Sequence, residues 1–333
     1  MNNPLLARYA ECIFWLGRFV ERAENLARIL EVNETHGRDR SGAQEWLSIV
    51  ELNGDEAAFA ARHAHATADS VIRFYLTDAD NPTSILSAIG NARENARTLR
   101  PLVSTEMWVV LNVFHNRLRA IQPPELAPHN LSRLLTEIKE GCQTFTGITE
   151  GTFYRDQAWY FYRLGRYIER ADQTTRLLDT KYRLLTRDAG SGVEVGQWHA
   201  VLRSASGYHA FRLVHSSDLT PVRVVGFLLF NRSFPRSVSF CVGELDAALT
   251  ELKSHYSLRG GNDVAEGVDA LRAILATRST EEILGSGLHE FVDFLQCRFA
   301  DITNRLTAAF FVPLPTAAEK LSPGLADLGQ MPS

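Results

Sequence analysis

The chain has 333 residues, 45% of them hydrophobic and 22% charged, and a formal net charge of −4. That length can bury a large core as one domain or two, and the acidic balance argues against a general nucleic-acid binder while leaving room for a local basic pocket. The four cysteines, Cys12, Cys142, Cys241 and Cys297, are scattered without a CxxC pair, which points to a reducing, cytoplasmic setting. Arg8, Glu11 and Arg18 interrupt the first apolar run, so neither a signal peptide nor a transmembrane span is expected.

In chain order, Asn3 and Pro4 form a cap-then-proline start, and the first helix is expected from about residue 4 to 35. At 100° per residue, Leu16, Phe19, Val20, Ala23, Leu26, Ala27 and Leu30 share one sector, a core-facing stripe. Arg18, Glu21, Arg22, Asn25 and Arg28 fall on the other side, with Glu24 and Arg28 as a well-oriented i,i+4 pair. Gly37 and Ser41-Gly42 end this helix. A second begins near Gln44, and after Gly54-Asp55 a further helical stretch is expected from Ala57 to Phe74. Asn81-Pro82 repeats the cap-then-proline signal before a helix carrying Ile85, Ala88, Ile89, Ala92, Ala96 and Leu99 on one face, and Arg93, Glu94, Asn95 and Arg97 besides. Pro101 stops or kinks it, and Ser104 caps the next. Pro123-Pro124 reads as a loop, and an amphipathic helix from Asn130 to about Thr146 is expected to break at Gly147 and Gly151.

The opening helix then recurs. Leu16 to Leu30 and Leu164 to Leu178 share eight of fifteen residues at an offset of 148, with Arg18, Glu21, Arg22 and Arg28 returning as Arg166, Glu169, Arg170 and Arg176. Trp46 corresponds to Trp198, Phe59 to Phe211, Pro82 to Pro235 and Ser84 to Ser237, as the offset drifts to 153. A duplicated multi-helix unit accounts for this better than a solenoid, whose repeats run to roughly 20–50 residues. The charged cluster Arg93-Glu94-Asn95 and Arg97 faces Asp246-Ala247-Ala248 and Thr250, so any special site should be asymmetric. No stretch alternates with turn spacing, so strands are few or absent. Residues 313–333 form a Pro/Gly-rich tail expected to be poorly ordered.

Charges that recur where Leu26 and Ala27 have become Thr174 and Thr175 leave three readings open. They form a solvated face, a structural ion network between packed helices, or an anion-binding or catalytic pocket. Arginine forks bind phosphate or carboxylate bidentately, and glutamates held between arginines stay ionised, which suits proton transfer near pH 7 poorly. His63-x-His65 is a poor chelate, no metal site or cofactor is expected, and no HExxH, P-loop, GxGxxG after a strand or GxSxG is present.

The two Leu-Gly-Arg-(Phe/Tyr)-(Val/Ile)-Glu-Arg-Ala stretches resemble the signature of the Alpha-E family, a bacterial all-helical domain named for its Glu-Arg motif. Asn81 to Ile85, Ala92 to Arg97, Ser104 to Trp108 with Asn112, Phe234 to Val238, and Leu288 to Phe291 are similar to further family segments. The resemblance implies company: members are typically encoded beside, or fused to, a circularly permuted ATP-grasp protein and a transglutaminase-like peptidase. It assigns no catalytic residue.

The chain is therefore read as all-α, a helical bundle of two tandem, pseudo-twofold-related multi-helix units. Residues 1–312 would be one domain, with repeats of about 4–147 and 152–311. The candidate ligand-binding residues are Arg18, Glu21, Arg22, Arg93, Glu94, Asn95, Arg97, Arg166, Glu169 and Arg170. The functional expectation is an accessory or substrate-handling partner of an ATP-grasp-type amide ligase, binding a peptide, an anionic intermediate or the ligase itself. An enzyme with an Arg/Glu pocket and a purely structural scaffold are the alternatives.

Overall fold

The computed structural model describes residues 5–37, 43–187, 193–216, 219–254, 256 and 261–311. Among these there is no strand, and fifteen α-helices follow one another. The first half holds α1 (Ala7–Gly37), α2 (Ala43–Asn53), α3 (Glu56–Ala60), α4 (Ala68–Leu76), α5 (Ile85–Thr98), α6 (Thr105–Arg119) and α7 (Pro128–Thr152). The second holds α8 (Gln157–Arg187), α9 (Val193–Ser204), α10 (Tyr208–His215), α11 (Pro221–Phe230), α12 (Val238–Ser254), α13 (Asn262–Thr277), α14 (Thr280–Ser286) and α15 (Leu288–Leu306), closed by a π-turn, Thr307–Phe311. The Asn3-Pro4 start, the Ser41-Gly42 break and the 313–333 tail lie outside the described residues.

The two 31-residue helices α1 and α8 form the centre. Their contacts advance together, from Leu5 N–H on Gln157 Oε1 to Arg22 on Glu169, so the helices run parallel. They touch backbone to backbone. A Cβ on Gly17 would stand 2.6 Å from Tyr162 O, and one on Gly165 would stand 2.0 Å from Phe14 O. Only glycine permits that approach. The remaining helices pack around this pair in matching fashion. α5 and α7 lie on α1 with α6 across them, and α12 and α15 lie on α8 with α13 across them. Ile13, Phe14, Leu16, Leu30, Ile168 and Leu178 are among the side chains that the layers bury completely.

Several boundaries differ from the sequence reading. The expected helix from Ala57 to Phe74 is two helices, α3 and α4. Arg62 leaves the helix to pair with Asp78 at 2.5 Å, His63 stacks on Phe59 and Phe74, and a Thr67/Ser70 capping box starts α4 afresh. Ser84, not Asn81, caps α5, receiving Ser87 N–H at 3.1 Å. Asn81 instead folds the preceding turn, accepting Thr83 N–H and donating to Phe74 O. α7 runs straight through Gly147 and Gly151, held by the buried row Leu131, Leu134, Leu135, Ile138, Cys142 and Phe145. One glycine costs a helix only about 1 kcal/mol, which that packed face outweighs. Pro123-Pro124 forms a short 3-10 turn rather than an irregular loop.

Candidate functional site

The recurring charges meet where α1 and α8 touch. Glu169 receives Arg22 bidentately, Nε on Oε1 at 2.6 Å and Nη2 on Oε2 at 3.0 Å, and Arg18 Nε on Oε2 at 2.7 Å. Glu21 receives Arg170 in the same way, at 2.7 and 2.6 Å, with Arg166 Nε 3.7 Å away. Each motif thus clasps the glutamate of the other. Positions four further on repeat the theme, as Asn25 donates to Glu21 and Gln173 to Glu169. Glu24 holds Arg28, and Asp172 holds Arg176. Of the three readings left open by the sequence, the geometry fits an ion network between packed helices, because each helix offers its charged side to its twin.

The two ends of this lattice are not alike. Arg236, in the turn before α12, bridges Glu21 Oε1 at 3.0 Å, Asn25 Oδ1 at 2.5 Å and Glu24 Oε1 at 2.8 Å. Its match in the first half is Thr83, which turns to Asp55 at 2.6 Å. Beyond the two glutamates, Arg166 reaches Glu150 on α7, whereas Arg18 reaches the Thr303 hydroxyl on α15. Sequence reasoning passed over Arg236 as a site residue. The signal was an arginine standing between a matched proline and serine, Pro235 and Ser237 against Pro82 and Ser84.

Glu21 is 2% exposed and Glu169 0%. Burial alone would raise both carboxyls, but the guanidiniums override it. Arg170 and Arg236 pull Glu21 far below the usual range, and Arg22 and Arg18 bring Glu169 down to about 2. Asp172 goes the other way: burial pushes it up, with the charge of Glu169 adding to it, and Arg176 only partly offsets them. The acceptor sites of Glu21 and Glu169 are filled by protein donors. Held ionised near neutral pH by their arginines and enclosed by protein, neither presents an open edge to a ligand among the described residues.

The remaining candidates stand apart from the lattice. On the outer face of α5, Glu94 binds Arg93 at 2.6 Å and Arg97 at 2.7 Å. Arg93 also donates to Asn112 Oδ1 at 2.7 Å and, with Arg100, stacks on Trp108. Glu94 and Asn95 do share a 470 Å³ groove with α1, floored by Trp15 and Phe19 and flanked by Glu11 and Asn91. The floor touches the lattice from behind, as Arg18 lies 4.8 Å from the Trp15 ring centre and Arg22 6.0 Å from that of Phe19. Cys12 lines the same groove, its thiol raised by burial. His289 pairs with Asp179 at 2.7 Å, where α15 meets α8. Among the described residues, no helix is long and apolar enough to cross a membrane.

Residues 5–311 match the model of the Alpha-E family, described as a predicted alpha-helical domain with a conserved ER motif. Uncharacterized proteins of Mycobacterium bovis and of two strains of Mycobacterium tuberculosis are similar to this chain, each 24% identical over 323 residues. The match covers 89% of this chain and 36% of each relative, so the chain spans about a third of their length. No solved structure matches.

Proposed function

The chain belongs to the Alpha-E family, and from that premise we propose that it is a non-catalytic, substrate-handling partner of an ATP-grasp-type amide ligase. In this reading the Glu-Arg motifs are a clasp between α1 and α8, and the α1–α5 groove takes a peptide. The observation that carries it is the contrast between the two places. Glu21 and Glu169 are enclosed and saturated, while Asn91 and Asn95 beside Trp15 and Phe19 make no side-chain hydrogen bond among the described residues. Buried ion networks specify how helices meet. Open amides over an aromatic floor suit a peptide backbone carrying an apolar side chain.

The reciprocity of contacts between positions 148 apart also supports the duplicated-unit reading of the sequence. An enzyme working through the Arg/Glu motifs would need an open cleft at the glutamates, and their surroundings offer no support for one. The test is co-purification of the full chain with a circularly permuted ATP-grasp protein of the kind that accompanies the family, then incubation with ATP and a mass-spectrometric search for a ligated product. A stable complex is expected, with product requiring both proteins. Product formed equally well without this chain would end the reading.

A further inference from the structure

The two halves set out the same acceptors on α1 and α8, but only one set receives an arginine from the facing turn. Glu21, Glu24 and Asn25 return on α8 as Glu169, Asp172 and Gln173. Arg236 reaches all three members of the first set, at 3.0, 2.8 and 2.5 Å. The turn that faces the second set carries Thr83 in that place. Hydrogen bonds fix the register of the two turns. Asp78 Oδ1 accepts Asp80 N–H as Asn231 Oδ1 accepts Ser233 N–H. Ser84 Oγ accepts Ser87 N–H as Ser237 Oγ accepts Phe240 N–H. All four residues match at the offset of 153, which sets Thr83 against Arg236.

The second set is short of one cation. Glu24 is held by two arginines, Arg28 at 2.5 Å and Arg236 at 2.8 Å. Its twin Asp172 is held by Arg176 alone, on Oδ2 at 2.8 Å, and Oδ1 has no donor among the described residues. Gln173 gives Nε2 to Glu169 at 3.4 Å, and its Oε1 likewise has no donor there. Asp55 adds a further carboxylate. It accepts from two neutral hydroxyls, Thr83 at 2.6 Å and Tyr75 at 3.1 Å, and forms no ion pair among the described residues. Glu169 above all, then Asp172 and Asp55, raise the Arg22 pKa against burial, so the three carboxylates gather round one guanidinium. Solvent reaches this end of the lattice. Arg22 is 22% exposed, whereas its twin Arg170, which shares Glu21 with Arg236, is 6% exposed. The upward shift of the Asp172 carboxyl is what a buried anion with too little positive company shows.

We infer that Asp172, Gln173 and Asp55 bind a guanidinium group from outside the chain, seated as Arg236 is seated on Glu24, Asn25 and Glu21. The matching residues already hold that group inside the same molecule. A planar fork of five N–H donors suits acceptors spread over a helix and a loop. A metal ion does not, since no three acidic, histidine or cysteine side chains among the described residues stand close enough to hold one. The incoming charge lies beside Arg22 as Arg236 lies beside Arg170, and the carboxylates offset the repulsion. The inference rests on the peptide-handling reading above for the source of the group, an arginine side chain of the peptide.

The test is calorimetric titration of the full chain with acetyl-Ala-Arg-Ala-amide, with the same peptide carrying citrulline or lysine in place of arginine, and with agmatine. Citrulline keeps the shape and lacks the charge, and lysine keeps the charge and lacks the fork. The arginine peptide is expected to bind about tenfold or more tighter than either, the scale of a charge-assisted hydrogen bond. Tighter binding of that peptide than of agmatine assigns the group to a peptide, and equal binding assigns it to a small guanidino compound; both support the site. Thr83→Arg should supply the guanidinium from within, raise the melting temperature and abolish binding. Asp172→Asn should weaken binding about tenfold with the fold intact by circular dichroism, and it carries the comparison if Thr83→Arg does not fold. No binding of the arginine peptide or agmatine, equal binding of the citrulline peptide, or undiminished binding by Asp172→Asn or by folded Thr83→Arg would overturn the inference. Because the titration uses this chain alone, absent binding beside intact co-purification with the ATP-grasp protein removes this site and leaves the partnership standing.

Discussion

Glu169 lies under two guanidiniums with no water-facing edge, and that position sets what substitution does. Glu169→Gln keeps the shape and removes the buried charge, leaving the half-buried Arg18 and Arg22 without their anion. Breaking a buried pair from one side costs about 3–5 kcal/mol, so chemical denaturation should show a loss of that order, and Glu21→Gln a similar one. The pH dependence follows from the same residues. A carboxyl whose folded pKa is depressed contributes stability that is present above its unfolded value of 4.5 and lost as pH falls through the folded one, about 2 for Glu169 and lower still for Glu21. Asp172, raised by burial, opposes this in part, because its ionised form is the less stable one in the fold. Equilibrium unfolding followed between pH 5 and 2 should therefore steepen for the natural chain and flatten for the Glu21→Gln, Glu169→Gln double variant. Equal acid sensitivity in the two would show that other carboxylates set the window.

At the scale of the helix, the glycines of the two motifs decide the geometry that the charges exploit. A Cβ at Gly165 would overlap Phe14 O, and one at Gly17 would press on Tyr162 O. Overpacking of this sort costs about 1–3 kcal/mol, occasionally more. Gly17→Ala and Gly165→Ala should each lower the melting temperature, Gly165→Ala more so, although alanine is the better helix former. Unchanged melting would mean that α1 and α8 can slide apart without loss. These same helices mark how far local pattern carries. The stripe of Leu16, Val20, Ala23 and Leu30 announces α1, and Ser104 announces α6. The break between α3 and α4 was less visible, since residues 61–67 contain no glycine or proline. What stops the helix there is Arg62 reaching Asp78, sixteen residues away.

For the molecule as a whole, α1 and α8 are each other's lining. A chain cut after α7 would expose the Gly17 face, Arg18, Arg22 and an unpaired Glu21 to water. Residues 1–155 made alone should therefore not persist as a folded monomer. They should aggregate, or pair with a second copy in which Arg18 and Arg22 clasp the other Glu21 as they now clasp Glu169. Sedimentation and circular dichroism would check this, and a helical, soluble monomer would contradict it.

The amino-acid order alone determined the helical class, the recurrence of one charged helix at an offset of 148, and the identity of Arg18, Glu21, Arg22, Arg166, Glu169 and Arg170 as a set. Those features are local, written within a few turns of helix or by direct self-comparison. Tertiary structure alone decided that these charges face inward and are saturated, that Arg236 joins them, and that the Arg93 cluster stands outside. Such outcomes depend on which side chains meet across 147 residues of chain for Arg22 and Glu169 and 215 for Arg236 and Glu21, and helical periodicity, which repeats every 3.6 residues, contains no term for that.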